Sequence, residues 1–96
     1  MPAYVIFTRT KTLDKTELEK YWSLVQDTMK GHPIEVLVPY GNFDVLEGEQ
    51  IEGVVVAKFP DMEAAKRWYY SEPYKKASNY RQKGAVYNGI LAEGIV

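Results

Sequence analysis

The stretch from Phe59 to Arg81 constrains the fold of this 96-residue chain more than any other. Asp61 follows Pro60 and offers a carboxylate that can cap the N-terminus of a helix. The apolar residues behind this cap have the spacing of one helical face: Met62, Ala65, Trp68 and Tyr69. Ser71-Glu72-Pro73 then ends the helix, because proline disfavours helical geometry in the residue before it.

A second, short helix is predicted immediately after this break. Pro73 suits the first turn of a helix, where its missing N–H is not needed. One side of the helix then carries four residues: Tyr74, Ala77, Ser78 and Arg81. The segment therefore predicts a core-facing aromatic wall, followed by a phenol and a guanidinium on a shared face.

A further helix is predicted to begin at Asp14, which can cap it. Glu17 is placed to reach back to the backbone of the cap, and Leu13 can pack on Leu18 as a hydrophobic staple. The apolar residues of this helix form a single stripe: Leu18, Tyr21, Trp22, Val25 and Met29. Gly31 suits the left-handed position after the last turn.

Four strands are predicted, over residues 3–9, 34–38, 54–59 and 85–92. Proline and glycine in the segment 39–42 predict a bulge or a sheet edge after the second strand. The extended pattern resumes at 43–46, and residues 47–49 form a turn. The three valines at 54–56 predict a strand buried on both faces, or nearly so.

The predicted order is strand, helix, strand, strand, helix, strand, which is the ferredoxin-like split βαβ arrangement with an antiparallel sheet. The fold class is therefore α+β, with one domain over residues 1–96. Each helix has one apolar stripe, so both helices are expected to cover the same face of the sheet. The other face is apolar and bare in a monomer, which predicts a homodimer in which two sheets stack into a closed barrel.

Composition excludes several classes of function. A net charge of −1 with scattered Lys and Arg gives no basic stripe for nucleic acid. No apolar run approaches the roughly 18 residues that span a membrane, and no signal-peptide pattern is present. The absence of cysteine excludes disulfides, thiol nucleophiles and thiolate metal sites. We expect a cytoplasmic protein that binds neither nucleic acid nor membranes and needs no cofactor.

The chain also resembles a known family over essentially its full length. The matching features are Tyr4, Tyr21, Gly41, Leu46-Glu47-Gly48, Phe59-Pro60, Glu63-Ala64, Trp68, Ser71, Tyr74, Arg81 and Glu93-Gly94. This set resembles the domain-of-unknown-function family 1330, in the dimeric α+β barrel superfamily. Asn42 departs from the Gly-Gly that is common in the family, and Glu72-Pro73 stands where Pro-Glu is common. The resemblance implies the fold and a dimer, but no reaction.

Three residues are candidates for catalysis: Arg81, Tyr74 and His32. Arg81 with Tyr74 and Ser71 could clamp a small carboxylate or enolate. The alternatives for Arg81 are a dimer contact or an internal salt bridge, with Glu93 as the nearest partner in the family pattern. His32 is the only histidine and could move a proton, or hold haem iron as in some relatives of the superfamily. Alternatively, it offsets the dipole at the end of the first helix.

Five residues are candidates for binding a ligand: Tyr4, Tyr40, Asn42, Trp68 and Ser71. The eight tyrosines of the chain suit cavity walls and interfaces, although a β-rich fold also uses tyrosine on its strands. Asn42 after glycine also fits ordinary turn chemistry. The acidic residues at 47, 49 and 52 surround a turn and indicate a solvated edge, so no metal site is predicted.

Three functions are compatible with these residues. The first is a cofactor-independent enzyme, similar to the monooxygenases or isomerases of the superfamily. It would act on a small carboxylate- or carbonyl-bearing metabolite in a cavity between sheet and helices. The second is a non-catalytic binder of the same ligands. The third is a dimeric structural or regulatory domain whose aromatic residues serve packing alone. A cavity lined by Tyr74, Arg81 and either Tyr4 or Tyr40 would favour the first two.

Overall fold

The computed structural model describes the whole chain, Met1–Val96. Its elements are β1 (Ala3–Thr12), α1 (Lys15–Thr28), β2 (Glu35–Pro39), β3 (Gly53–Phe59), α2 (Met62–Tyr69), α3 (Glu72–Gly84) and β4 (Ala85–Glu93). The order confirms the predicted βαββαβ arrangement, with the second helical stretch divided into α2 and α3. At 13 residues, α3 is longer than the short helix that was predicted.

The four strands form one antiparallel sheet in the order β2-β3-β1-β4. The central strand β1 pairs on both sides, so that Val5 lies opposite Ala57 of β3 and Leu91 of β4. This arrangement is the predicted ferredoxin-like α+β fold. The two edges of the sheet are β2 and β4, so the proline and glycine after β2 correctly predicted a sheet edge. A register shift also occurs within β2, between Val36 and Val38.

The helices cover one face of the sheet and leave the other face bare. Ala3, Val5 and Phe7 of β1 are buried under the helices, because alternate residues of a strand point to the same face. The residues between them point to the bare face, together with their partners in β3 and β4: Tyr4, Ile6, Val54, Val56, Val86 and Ile90. These side chains are only half-buried or exposed in a single chain. The prediction that β3 is nearly buried on both faces is therefore wrong for the monomer.

The start of α1 differs in part from the prediction. Asp14 caps the helix as expected, and its carboxylate accepts hydrogen bonds from the backbone N–H groups of Thr16 at 3.0 Å and Glu17 at 3.4 Å. However, the Asp14 N–H donates to the Gly84 carbonyl at 2.9 Å, so Glu17 does not reach back to it. Leu13, the other half of the predicted staple, is 56% exposed beside a buried Leu18. Packing against α3 replaces the local capping box.

The segment after β2 forms no strand, so the predicted extended stretch at 43–46 is wrong. Tyr40 has a φ of +57°, which is rare for a residue other than glycine and turns the chain out of the sheet. The pairing of β2 with β3 ends at Pro39, and the residues after Tyr40 lie outside the sheet.

The segment from Phe59 to Arg81 folds largely as predicted. Asp61 caps α2 by accepting from the Ala64 N–H at 2.7 Å. Ser71 accepts from the Tyr74 N–H at 3.4 Å and donates to the Trp68 carbonyl at 2.7 Å. Ser71 thus links the end of α2 to the start of α3, where Pro73 occupies the first turn. The largest fully buried side chains of the core are Tyr74, Phe59 and Leu18.

Candidate functional site

Arg81 is a buried cation on the face of α3 that points towards the sheet. Only 6% of the residue is exposed. Its guanidinium carbon lies 4.8 Å from the ring centre of Phe7, 5.1 Å from that of Tyr87 and 5.9 Å from that of Tyr21. Aromatic faces attract cations at these distances, so the three rings form the immediate environment of the charge.

No acidic side chain neutralises Arg81. The ion pairs of the structure join Arg9 to Glu52, two pairs of residues within helices α1 and α2, and Asp27 to Lys30 at the end of α1. None includes Arg81. Its Nε atom is buried without a hydrogen-bond partner. Glu93 is exposed at the far end of β4 and does not pair with it. Because a guanidinium keeps its charge in proteins, the positive charge of Arg81 is uncompensated within the chain.

Arg81 lines a cavity of about 650 Å³ between the sheet and helices α2 and α3. The other walls are mainly apolar or aromatic and include Phe7, Met62, Tyr69, Tyr70, Tyr87 and Leu91. Gly89 of β4 also lines the cavity, where the ring of Phe7 rests against it. A Cβ atom at Gly89 would lie 2.6 Å from that ring, so only glycine allows this packing. The cavity thus combines one buried cation with an aromatic enclosure.

Tyr87 connects this cavity to a chain of hydrogen bonds that crosses the sheet. Its hydroxyl oxygen lies 2.6 Å from that of Tyr40, and Tyr40 accepts a hydrogen bond from the indole Nε1 of Trp22 at 3.2 Å. Burial, followed by the hydrogen bond to Tyr40, raises the pKa of Tyr87 well above its usual value, whereas Arg9 opposes the rise. Tyr87 is therefore a neutral hydrogen-bond donor at physiological pH.

Tyr74, predicted for the site, lies behind the cavity and not in its wall. It is fully buried, and its hydroxyl lies 3.0 Å from that of Tyr21. Burial is the main cause that raises the pKa of both phenols, and the charge of Arg81 opposes it in both. The two tyrosines are therefore neutral groups that support the floor beneath Arg81.

The other predicted site residues are dispersed over the fold. Ser71 is the N-cap of α3, and Trp68 is buried with its indole N–H donating to Thr28 at 3.1 Å. Tyr4 points to the bare face of the sheet, and Asn42 is exposed in the loop after β2. His32 follows α1 and lines neither of the two cavities described here. Of the predicted residues, only Arg81 lines the larger cavity.

A second, smaller cavity of about 250 Å³ lies under α1, near the edge formed by β2. Its walls are almost entirely apolar and include Trp22, Met29, Val36, Tyr40 and Trp68. Val5 and Phe7 line both cavities, so the side chains of the central strand separate them. Tyr40 faces the smaller cavity and Tyr87 the larger one, and their hydrogen bond joins the two walls.

The acidic residues after β2 do not assemble into a cluster that could hold a metal ion. Glu52 instead lies 3.4 Å from the Arg9 guanidinium and accepts a hydrogen bond from the Thr12 hydroxyl at 2.6 Å. None of the helices is both long enough and apolar enough to cross a membrane.

Several solved structures share the fold at low sequence identity. A protein of unknown function from Rhodopseudomonas palustris aligns with a TM-score of 0.78 and 16% identity, over 99% of this chain and 83% of that one. SnoaB, a cofactor-independent oxygenase from Streptomyces nogalater, aligns with a TM-score of 0.63 and 10% identity, over 99% and 94%. A dimeric protein of unknown function with a ferredoxin-like fold from Bacteroides fragilis aligns with a TM-score of 0.59 and 14% identity, over 97% and 96%.

At these identities the alignments establish the fold alone. No curated protein sequence matches the chain at a significant level. A family model, in contrast, matches residues 2–95, almost the entire chain. The chain thus belongs to the family described as a domain of unknown function, DUF1330.

Proposed function

We propose that the cavity beside Arg81 binds a small organic anion, a carboxylate or an enolate, that carries an apolar or aromatic body. The observation that carries the proposal is the buried guanidinium without an acidic partner in the wall of a 650 Å³ cavity. A buried charge is costly unless it is paired, and a planar guanidinium is suited to bind carboxylate oxygens in a bidentate manner. An anionic ligand would supply the partner that the chain lacks.

The remaining walls of the cavity define the rest of the ligand class. Phe7, Tyr69, Tyr70 and Tyr87 offer ring surfaces, and Met62 offers a flexible apolar side chain. Such surfaces bind planar or apolar groups in preference to strongly hydrated ones. An aromatic acid is therefore favoured over an inorganic anion such as phosphate.

A second candidate is a cofactor-independent enzyme, which uses the same site. The observation that favours it is the pairing of a fixed cation, Arg81, with a neutral phenol, Tyr87, in one cavity wall. Donors placed in this way stabilise the negative charge of an enolate as it forms. Tyr87 and Tyr21 are poor general bases, because burial raises the pKa of each phenol and keeps it protonated. A substrate of low C–H acidity would therefore need another base. The oxygenase SnoaB has the same fold, which is analogy only.

Binding can be tested with benzoate in a titration of ¹⁵N-labelled protein followed by NMR. Resonances of residues around the larger cavity, such as Tyr87 and Leu91, should move in a saturable manner. Arg81→Met removes the charge but keeps much of the side-chain volume, and affinity should fall at least about tenfold. Arg67→Met, at an exposed position of α2, serves as the control. Equal binding by Arg81→Met and the native protein would contradict the proposal.

We also infer that the protein forms a homodimer through the bare face of its sheet. In a single chain this face presents Ile6, Val54, Val56 and Ile90 to solvent, beside the phenol of Tyr4. A contiguous apolar face on a small protein is typical of an association surface. The dimeric relatives of the same fold support this inference, and two stacked sheets would form the barrel that the family resemblance implies.

A further inference from the structure

The chain of hydrogen bonds from Trp22 through Tyr40 to Tyr87 can run in either direction at its last step, because either hydroxyl can donate across this contact. The indole Nε1 of Trp22 can only donate, so the Tyr40 oxygen accepts at 3.2 Å. In the ligand-free protein the Tyr87 hydroxyl can donate to the Tyr40 oxygen at 2.6 Å, or the Tyr40 hydroxyl can donate to the Tyr87 oxygen. With Tyr40 donating to Tyr87, every proton of the chain except one is used internally. That one is the hydroxyl proton of Tyr87.

The position of Tyr40 is constrained by its backbone conformation and by its contacts with Gly53 and Arg9. Tyr40 holds a φ of +57°, and its ring crosses Gly53 so closely that a Cβ atom there would lie 2.9 Å away. The Arg9 guanidinium lies 5.3 Å from the Tyr40 ring centre, and it is a further group that can only donate. Backbone strain of this kind persists only where the surroundings enforce it, and it is concentrated at functional positions.

Tyr87 is the only member of the chain that lines the cavity beside Arg81. Its ring centre is 5.1 Å from the Arg81 guanidinium carbon, and it packs edge-on against Phe7 with the ring planes at 85°. A group bound by Arg81 therefore lies next to a phenol whose proton becomes available to it when Tyr40 donates to Tyr87.

We propose that Tyr87 donates this proton to the ligand held by Arg81, and that Tyr40 and Trp22 are positioning residues that orient it. The proposal rests on the proposed anion site and specifies its selectivity. The site favours groups that only accept hydrogen bonds, such as carboxylates and enolates. It disfavours the isosteric amides, whose N–H₂ would face the Tyr87 donor or the Arg81 donors.

The test uses benzoate and its neutral isostere benzamide, titrated separately into the native protein, Tyr87→Phe and Tyr40→Phe. Loss of a hydrogen bond to a charged group should weaken benzoate binding to Tyr87→Phe by about tenfold or more, with a much smaller effect on benzamide. Tyr80→Phe, on α3 and outside both cavities, is the matched control. If Tyr87 only packs, both affinities should fall by the same factor, which would overturn the proposal.

A spectroscopic signature in the native protein tests the role of Tyr40 and Trp22. Because hydrogen bonds in a chain polarise one another, benzoate should shift the indole N–H resonance of Trp22, which does not line the larger cavity. The indole N–H of Trp68 donates to Thr28 and should stay in place. Tyr40→Phe should abolish the Trp22 shift while benzoate still binds. A Trp22 resonance unmoved at saturation overturns this inference alone, whereas failure of benzoate to bind overturns the proposed site itself.

Discussion

Gly84, the last residue of α3, lies directly against the backbone of Leu18 in α1. A Cβ atom added at Gly84 would lie 2.5 Å from the Leu18 nitrogen and 2.8 Å from its Cα. The Gly84 carbonyl also accepts hydrogen bonds from the N–H groups of Leu13 at 2.8 Å and Asp14 at 2.9 Å. The two helices therefore meet backbone to backbone at the point where α1 begins.

Gly84→Ala should destabilise the protein, because the added methyl group meets backbone atoms that cannot rotate away. Overpacking of this kind costs about 1–3 kcal/mol of the free energy of unfolding, which chemical denaturation would measure. Gly41→Ala is the control, since a Cβ atom there would meet only the Val38 side chain at 3.8 Å. Equal stability of the two variants would show that α1 and α3 are packed less closely than the contact between Gly84 and Leu18 implies.

Asp14→Ala should lower the free energy of unfolding by about 1 kcal/mol, because two backbone N–H groups of α1 lose their acceptor. Asp44→Ala, in the exposed loop after β2, should have little effect and controls for the loss of one charge. Denaturation midpoints at neutral pH would compare the two. An unchanged midpoint for Asp14→Ala would mean that other groups cap this helix.

Arg81→Met should leave the stability of the ligand-free protein nearly unchanged or raise it. Removal of one partner from a buried ion pair costs about 3–5 kcal/mol, but Arg81 has no acidic partner to strand. The contacts with Phe7 and Tyr87 are lost as cation–π interactions, yet methionine can pack on the same rings. A decrease of about 3 kcal/mol or more in the free energy of unfolding would indicate that Arg81 has an anionic partner within the chain.

Stability should decline above about pH 10, because Tyr21, Tyr74 and Tyr87 all have a raised pKa in the folded state. Above the unfolded pKa, the unfolded chain loses these protons while the native state keeps them. Each phenol then favours unfolding by roughly 1.4 kcal/mol per pH unit, until the pH reaches its folded pKa. Melting temperatures between pH 8 and 12 would show the decline, and Tyr87→Phe should make it shallower. Tyr70→Phe, at an exposed position, is the control.

Val56→Asp should stop dimer formation, because Val56 lies opposite Ile6 on the bare face of the sheet. A carboxylate buried at that interface would have no partner. Light scattering at micromolar concentration should give twice the 11.0 kDa mass of one chain for the native protein. Asn79→Asp, on the exposed side of α3, adds the same charge and should remain dimeric. A native mass equal to that of one chain would remove the basis for the dimer.

The elements could be predicted from the sequence because their signals are local. Asp14, Asp61 and Ser71 cap helices through bonds to residues two or three positions away, and the strands alternate along their own length. The prediction of an extended stretch at 43–46 failed because the chain leaves the sheet at Tyr40. This residue has a left-handed backbone, and its side chain bonds to the distant residues Trp22 and Tyr87.

The site was only partly predictable, because it depends on packing between distant segments. The shared face of Tyr74 and Arg81 was inferred from helical spacing. That spacing does not show that Tyr74 bonds to Tyr21 behind the cavity, whereas Arg81 lines it. Tyr87 was missed altogether. Its alternation with Ala85 and Leu91 places it on the helix-facing side, but its contact with Tyr40 requires the register of all four strands.

The unpaired guanidinium of Arg81 has a practical consequence for laboratory work. Acetate, citrate and other carboxylate buffers would compete for it and would make binding to benzoate appear weaker than it is. Assays are best prepared in a cationic buffer with a fixed chloride concentration. A melting temperature that rises with added acetate, in the native protein but not in Arg81→Met, would detect occupancy of the site before any natural ligand is identified.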